Sequence, residues 1–520
     1  MSLLLALPLL PLAVAGWLAL SSRAEQLATG WLVALVAAFP VTAAALLAPD
    51  RIELPDLLVL GTSVLVLDDT SRAALLLFGG LWLTAGLLLT RTREQGPGVI
   101  ALLVALSGAM TLALAEGGPL VYAGMLAVGY GVYAIMAGEP GDEWRRAGRA
   151  LIVLLVVSDL LVFELLLSST ASPGADMPRG LILLGLAALV LRSSVPPAHA
   201  WLPPALATAG TPTAVLLVAV PTGAGMVGIL KLLPGGAPEV GVLCILFGLA
   251  GAAWAAIAGL AQVEPRTSLA YALAATAALL LMAVPAGVGA GGQLAWLVLA
   301  LLASCAALPL VALQPAGWTR DIGIAAALLV HGLAGGQAAL HAASVVPAWA
   351  GFLAPLAAVA ATLLLTVTAR RTMPAARSDE SVEATHLAYT PIILAASGLV
   401  LAWGARPPEL AYTWVAPVGI TLGLIVFRMV PRQAQPRIQP GDLLGPVEHV
   451  VGFLCRWLRV LSRRYVPRVR DRLAAWALGL WDGEAWSRRV HRVDVRLRAW
   501  PATGVMMLLV ALGAAFLLAR

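Results

Sequence analysis

The chain has 520 residues, 60% hydrophobic and only 12% charged, with a formal net charge of +6. An average soluble domain carries roughly 25% charged residues, so a soluble fold is excluded, and the apolar runs are too continuous for the alternating strands of a porin-like barrel. The three cysteines, Cys244, Cys305 and Cys455, lie far apart without paired spacing. That points away from a disulfide framework, a zinc site or an iron–sulfur cluster. No cofactor and no metal is expected, and any redox chemistry belongs to a partner.

In chain order, the apolar runs predict an all-α polytopic membrane bundle of about 16 helices, each able to cross roughly 30 Å of hydrocarbon. They fall near 2–20, 26–47, 71–91, 97–115, 119–137, 147–168, 180–200 and 213–232, then 239–262, 267–286, 293–313, 322–341, 347–369, 387–404, 413–430 and 502–519. No Lys or Arg precedes the first run, and Arg23 follows it, the reverse of a cleavable signal peptide. If the N-terminus is outside, the inner connections carry Arg23, Arg91, Arg93, Arg145, Arg146, Arg149, Arg266, Arg320, Arg370, Arg371 and Arg377. The outer ones carry only Arg51, Arg72, Arg179, Lys231 and Arg406, and fifteen arginines from Arg428 to Arg498 fall inside again. The positive-inside rule therefore puts both termini outside a bacterial inner membrane. Lys231 is the only lysine in the sequence.

Between about Gly441 and Trp500 apolar residues recur at helical spacing, in one stripe from Val447 to Tyr465 and another from Trp486 to Trp500, with arginines opposite. Such amphipathic helices, interleaved with tryptophan, suit the inner headgroup surface and meet lipid or a neighbouring subunit rather than nucleic acid.

Three places put prolines or polar groups inside apolar runs: Arg192-Ser-Ser-Val-Pro196-Pro197-Ala-His199-Ala-Trp201-Leu-Pro203-Pro204 with Thr211-Pro212, His331-Gly332 with Gly335-Gly336-Gln337, and Pro347 to Phe352. Broken backbone is tolerated in a membrane only against protein or a wet cavity, and broken helices mark ion sites in transporters. Ionisable groups within the spans mark candidate sites. Asp159, Glu164, Arg192 and His199 are therefore the ion-translocation candidates. An Asp159–Arg192 pair reads either as a buried tie between helices or as part of a wet ion path. His199 reads as packing at the break or as proton handling, and His331 and His341 as residues of packed helices or loop ends.

At these breaks the sequence resembles the antiporter-like membrane subunits shared by respiratory complex I, Mrp-type cation/proton antiporters and energy-converting hydrogenases. Pro197-Ala-His199-Ala-Trp201-Leu-Pro203 and Thr211-Pro212 follow the family's Pro-Phe-His-x-Trp-Leu-Pro and Ala-Pro-Thr-Pro in order and spacing. Glu264 to Tyr271 is similar to its Asp-Leu-Lys-Arg-Leu-Leu-Ala-Tyr, and Pro347 to Phe352 to its Pro-Pro-Leu-Ala-Gly-Phe. The resemblance implies two inverted five-helix repeats, a lateral helix and a C-terminal anchor. The chain then divides into N-terminal helices (1–95), first repeat (96–235), second repeat (236–370), additional helices (371–436), lateral segment (437–501) and anchor (502–520). The family's ion-carrying residues are replaced: its fifth-helix glutamate falls on Leu126, the lysine before the motif on Arg192, and further lysines on Gly223 and about Pro309 and Pro355.

The implied function is an antiporter-like subunit of a multi-subunit membrane complex, supporting movement of protons or monovalent cations coupled to a partner's redox or antiport activity. The expected partners are other membrane subunits and lipid. The alternatives are a non-conducting scaffold subunit of such a complex and a membrane partner of an inorganic-carbon uptake system.

Overall fold

The computed structural model describes residues 3–20, 29–54, 63–90, 98–138, 141–171, 179–233, 238–287, 291–314, 317–372, 387–405 and 410–429. The expected lateral segment (437–501) and the last span (502–519) lie outside the described residues.

The first six helices are α1 Leu3–Leu20, α2 Thr29–Leu46, α3 Asp69–Leu89, α4 Gly98–Leu114, α5 Gly118–Gly138 and α6 Asp142–Ala171. A broken stretch follows: α7 Arg179–Arg192, a 3-10 turn Ala198–Trp201 and α8 Leu202–Thr208, before α9 Thr211–Leu232. Next come α10 Pro238–Leu260, α11 Pro265–Ala283, α12 Gly291–Val311 and α13 Trp318–Ser344. The single turn α14 Ala348–Gly351 leads to α15 Ala354–Thr372, α16 Thr390–Ala405 and α17 Val415–Met429. Each expected span within the described residues contains a helix, and eleven helices there are long and apolar enough to cross a membrane.

Two boundaries differ from expectation for clear reasons. α6 begins at Asp142 because Asp142 and Glu143 occupy its first turn, where negative charge complements the helix dipole. The run expected to continue to residue 200 stops at Arg192. Ser194 adopts φ +56° and Pro196 and Pro197 follow, so the backbone leaves the helix. At 14 residues α7 is only about 21 Å long, too short to span alone.

The all-α expectation needs one correction. Arg51–Leu54 (β1), Ser63–Val66 (β2) and Ala115–Glu116 (β3) form a small antiparallel sheet in the order β1-β2-β3. Arg51 pairs with Val66, and Val64 with Glu116. β1 alternates exposed and half-buried residues, a period-2 signal too short to stand out beside the long apolar runs.

The hydrophobic interior is centred on α9, α11 and α12, which are nearly wholly enclosed, whereas α1, α6, α10 and α16 expose much of their length. α12 packs against α3, α9, α13 and α16, and α11 against α8, α10, α13 and α15. Several bundle cations cap helix ends. Arg72 donates to the carbonyls of Ala44 and Leu47 at the end of α2. Lys231 donates to those of Ala113 and Ala115 at the end of α4, and Arg371 to those of Gly259 and Leu260 at the end of α10. Positive charge there satisfies carbonyls with no partner in their own helix and complements the dipole.

Candidate functional site: the Asp159–Arg192 pair at a helix break

Arg192 differs from those capping cations. It is the last residue of α7, buried, and its three guanidinium nitrogens reach three different groups. Nη2 donates to Oδ1 of Asp159 on α6. Nε donates to Ser158 Oγ at 3.0 Å, and Nη1 to the carbonyl of Met125 on α5 at 2.8 Å. Tyr122 and Tyr130 of α5 stand near enough to interact with it electrostatically. Gly129 provides the space: a Cβ there would meet Arg192 Nη1 at 3.0 Å and Leu155 Cδ2 at 2.9 Å.

The pair expected from sequence is thus present, with acid and base on consecutive helices. Sequence reasoning missed its supports. Ser158 adjoins Asp159 in sequence, and the Gly129-Tyr-Gly131 run marked a position where backbone could approach closely, but neither signal named Arg192 as the visitor.

Asp159 has one oxygen bound to Arg192, while the other, Oδ2, is buried without a hydrogen-bond partner among the described residues. The same is true of Ser194 Oγ, Trp201 Nε1 and both ring nitrogens of His199 in the break, and of Thr222 Oγ1 on α9. The Pro197 carbonyl approaches His199 without hydrogen-bond geometry. Buried polar groups are normally satisfied by protein or ordered water, and these atoms on α6, in the break and on α9 have no protein partner among the described residues.

The break is firmly held. Ser193 Oγ donates to the Leu189 carbonyl at 2.7 Å, and the Ala198 amide to that of Val195 at 2.7 Å. The Pro196–Pro197 bond is cis. Pro203 and Pro204 lie in the first turn of α8, and Thr211 and Pro212 begin α9, positions where a missing amide costs nothing. The ring of His199 meets Tyr271 of α11 edge-on, with centroids 5.3 Å apart, which joins two of the sequence motifs in space.

Glu164 is not brought to this group; it is exposed on the outer surface of α6. His331, on α13, lies in a separate buried cluster. Its Nε2 is 3.0 Å from Thr276 Oγ1 of α11 and its Nδ1 3.4 Å from Thr362 Oγ1 of α15, with Cys305 Sγ of α12 3.7 Å from Thr276 Oγ1.

Residues 149–330 match the family model described as NADH:quinone oxidoreductase/Mrp antiporter, TM. No curated protein matches the chain in sequence. A chain of the Mrp complex from Dietzia sp. DQ12-45-1b is similar in fold, with a TM-score of 0.67 and 17% identity. The match covers 97% of this chain and 63% of that one, so the present chain spans less than two thirds of that protein's length. A chain of the archaeal membrane-bound sulfane sulfur reductase, a respiratory membrane complex, aligns with a TM-score of 0.60 and 17% identity, over 82% of this chain and 98% of that one. The family model thus covers about a third of the chain, and the two similar structures share its multi-pass helical fold.

Proposed function

We propose that the chain is an antiporter-like subunit of a multi-subunit bacterial inner-membrane complex, in which the Asp159–Arg192 pair and the break at His199 support movement of protons or monovalent cations. The observation that carries this reading is the buried ion pair whose second carboxylate oxygen is unsatisfied beside a break rich in other unsatisfied polar atoms. Arginine holds its proton at any ordinary pH, so Arg192 is a fixed positive charge and Asp159 is the group that changes state. Protonating Asp159 weakens its tie to Arg192, and its second oxygen, Oδ2, has no protein partner among the described residues to hold it.

The subunit reading also draws on the assemblies named for the similar structures, an Mrp complex and an archaeal respiratory complex. In it, residues 96–235 and 236–370 are the two inverted repeats, each interrupted once, after Arg192 and after Ser344. The termini lie outside, and residues 437–501 form the lateral segment along the inner face with residues 502–520 as its anchor.

The test is ion translocation by the reconstituted complex. Asp159→Asn is expected to abolish most coupled transport while leaving subunit composition unchanged. Coupled transport at the normal rate in that variant would remove the pair from the path.

One observation favours a second reading, a scaffold subunit that conducts nothing. At Gly223, where the family carries a lysine, an added Cβ would lie 3.1 Å from Leu77 Cδ2 and 3.2 Å from Phe78 Cε1. Apolar side chains thus crowd the place of that titratable group. Under this reading, deleting residues 440–520 dissolves the complex, whereas neutralising Asp159 and Arg192 together leaves transport intact.

A further inference from the structure

Glu164 makes no hydrogen bond or ion pair among the described residues, and it is exposed. It belongs to a face of α6 on which Val156, Leu160, Phe163 and Leu167 are also exposed, the spacing of one helical stripe. The opposite side of α6 packs on α5, α7 and α8. Between Arg149 and Ser168 the helix is apolar except for Ser158, Asp159 and Glu164. At 1.5 Å per residue, Glu164 lies about 22 Å beyond Arg149, well inside the hydrocarbon layer. Its side chain is short, and helical side chains lean toward the helix N-terminus, which here is toward the membrane middle and away from the nearer surface. A carboxylate so placed against lipid is costly.

We propose that this face of α6 is the docking surface for a transmembrane helix of a partner subunit that presents an arginine or lysine to Glu164. The inference rests on the reading of the chain as a subunit of a larger complex. The apolar stripe offers a helix-sized surface, and the lone carboxylate sets the chemistry of its occupant. The chain's own last apolar run carries no charged side chain over residues 504–519, and Arg520, which follows it, is expected at the outer surface rather than at the level of Glu164; a crosslink to that run would overturn the proposal. The arginine-rich segment from Arg428 to Arg498 is expected at the same membrane surface as Arg145–Arg149, the end of α6 remote from Glu164. A second copy of the chain packed face to face through this stripe would set one Glu164 near the other, since a two-fold contact apposes identical patches, and like charges repel.

The experiment uses the complex purified through a tag on this chain. A photo-crosslinking residue replaces Leu160 or Leu167, and the crosslinked peptide is sequenced. Subunit content is compared for the wild type, Glu164→Gln, Glu164→Leu and Glu164→Lys, with the thermal stability of the tagged chain measured in parallel. The expected result is a crosslink to a membrane helix of another subunit that contains a basic residue. Recovery of that subunit should fall several-fold in Glu164→Lys at unchanged chain stability, and reversing the partner's basic residue to glutamate should restore it. Crosslinks only to lipid or to a second copy, or full recovery in both Glu164→Leu and Glu164→Lys, would overturn the proposal. If no membrane subunit co-purifies even with the wild type, the subunit reading fails as well; if subunits co-purify regardless of residue 164, only the docking surface fails.

Discussion

Two buried polar clusters of the bundle, one around Arg192 and one around His331, differ in kind. Around α5 to α9 the interior holds a full ion pair and a set of polar atoms with no partner among the described residues. Around His331, between α11, α13 and α15, it holds neutral hydroxyls beside one imidazole, while the buried Arg320 and Gln293 lie near the starts of α13 and α12. Thr276 and Thr362 stand at the two nitrogens of His331, and each hydroxyl is also 2.9 Å from a carbonyl four residues back; a neutral imidazole donates to one of the two hydroxyls and accepts from the other. Ser268 Oγ lies 2.8 Å from Thr368 Oγ1. A hydrogen-bonded neutral network rigidifies a core, whereas a buried polar atom left without a partner is costly. On the proposed reading, packing belongs to the second cluster and transport to the first.

The sharpest way to break this comparison is to unbalance the charged cluster. Asp159→Leu leaves Arg192 buried without its counter-charge, for which a loss of about 3–5 kcal/mol is expected, read as reduced unfolding stability in detergent or bicelles. The double variant Asp159→Leu with Arg192→Met replaces the pair by apolar side chains and should recover most of that loss while transport stays absent. Recovered stability together with recovered transport would show that the pair is only a tie.

The next effect concerns space at the break. In Gly225→Ala the new Cβ would lie 2.1 Å from Ser193 Oγ and 3.0 Å from Ser193 Cα, so the chain after Arg192 must shift, at a cost of about 1–3 kcal/mol. Beside the other cluster, a Cβ on Gly335 would meet Leu279 at 3.4 Å and Ala358 at 3.6 Å, ordinary contacts. Gly335→Ala should therefore leave both thermal stability and transport close to wild type. Equal losses from the two substitutions would remove the claimed asymmetry between the clusters.

Much of this organisation could be read from the sequence, because length and apolarity alone fix a membrane helix. The spans near 293–313 and 213–232 became α12 and α9 with only small shifts. The prolines after Arg192 announced the break, and two ionisable residues inside neighbouring runs announced their pairing. What stayed hidden depends on direction around a helix axis. Asp159 and Glu164 looked alike in sequence, yet five residues turn a helix by about 140°, and one faces Arg192 while the other faces outward. His331 gave no sign of its partners, since Thr276 and Thr362 are remote in sequence and meet it only through the packing of α11, α13 and α15. The small sheet was hidden because its longest strands have four residues each.

The smallest predicted effect tests the neutral cluster around His331 alone. Thr276→Val keeps the shape of the side chain but removes the hydroxyl that joins His331 Nε2, the Ala272 carbonyl and Cys305. The Ala272 carbonyl retains its helical bond, so the unmet group is one imidazole nitrogen, and about 1 kcal/mol of stability should be lost. Thr276→Ser keeps the hydroxyl and should lose less. Transport by a complex carrying Thr276→Val should match the wild type, because the neutral network around His331 ties α11, α13 and α15 together without a charge that changes. If Thr276→Val instead slows transport as much as Asp159→Asn does, while its stability falls no further than expected, His331 carries charge. The two clusters would then differ in chemistry but share the work.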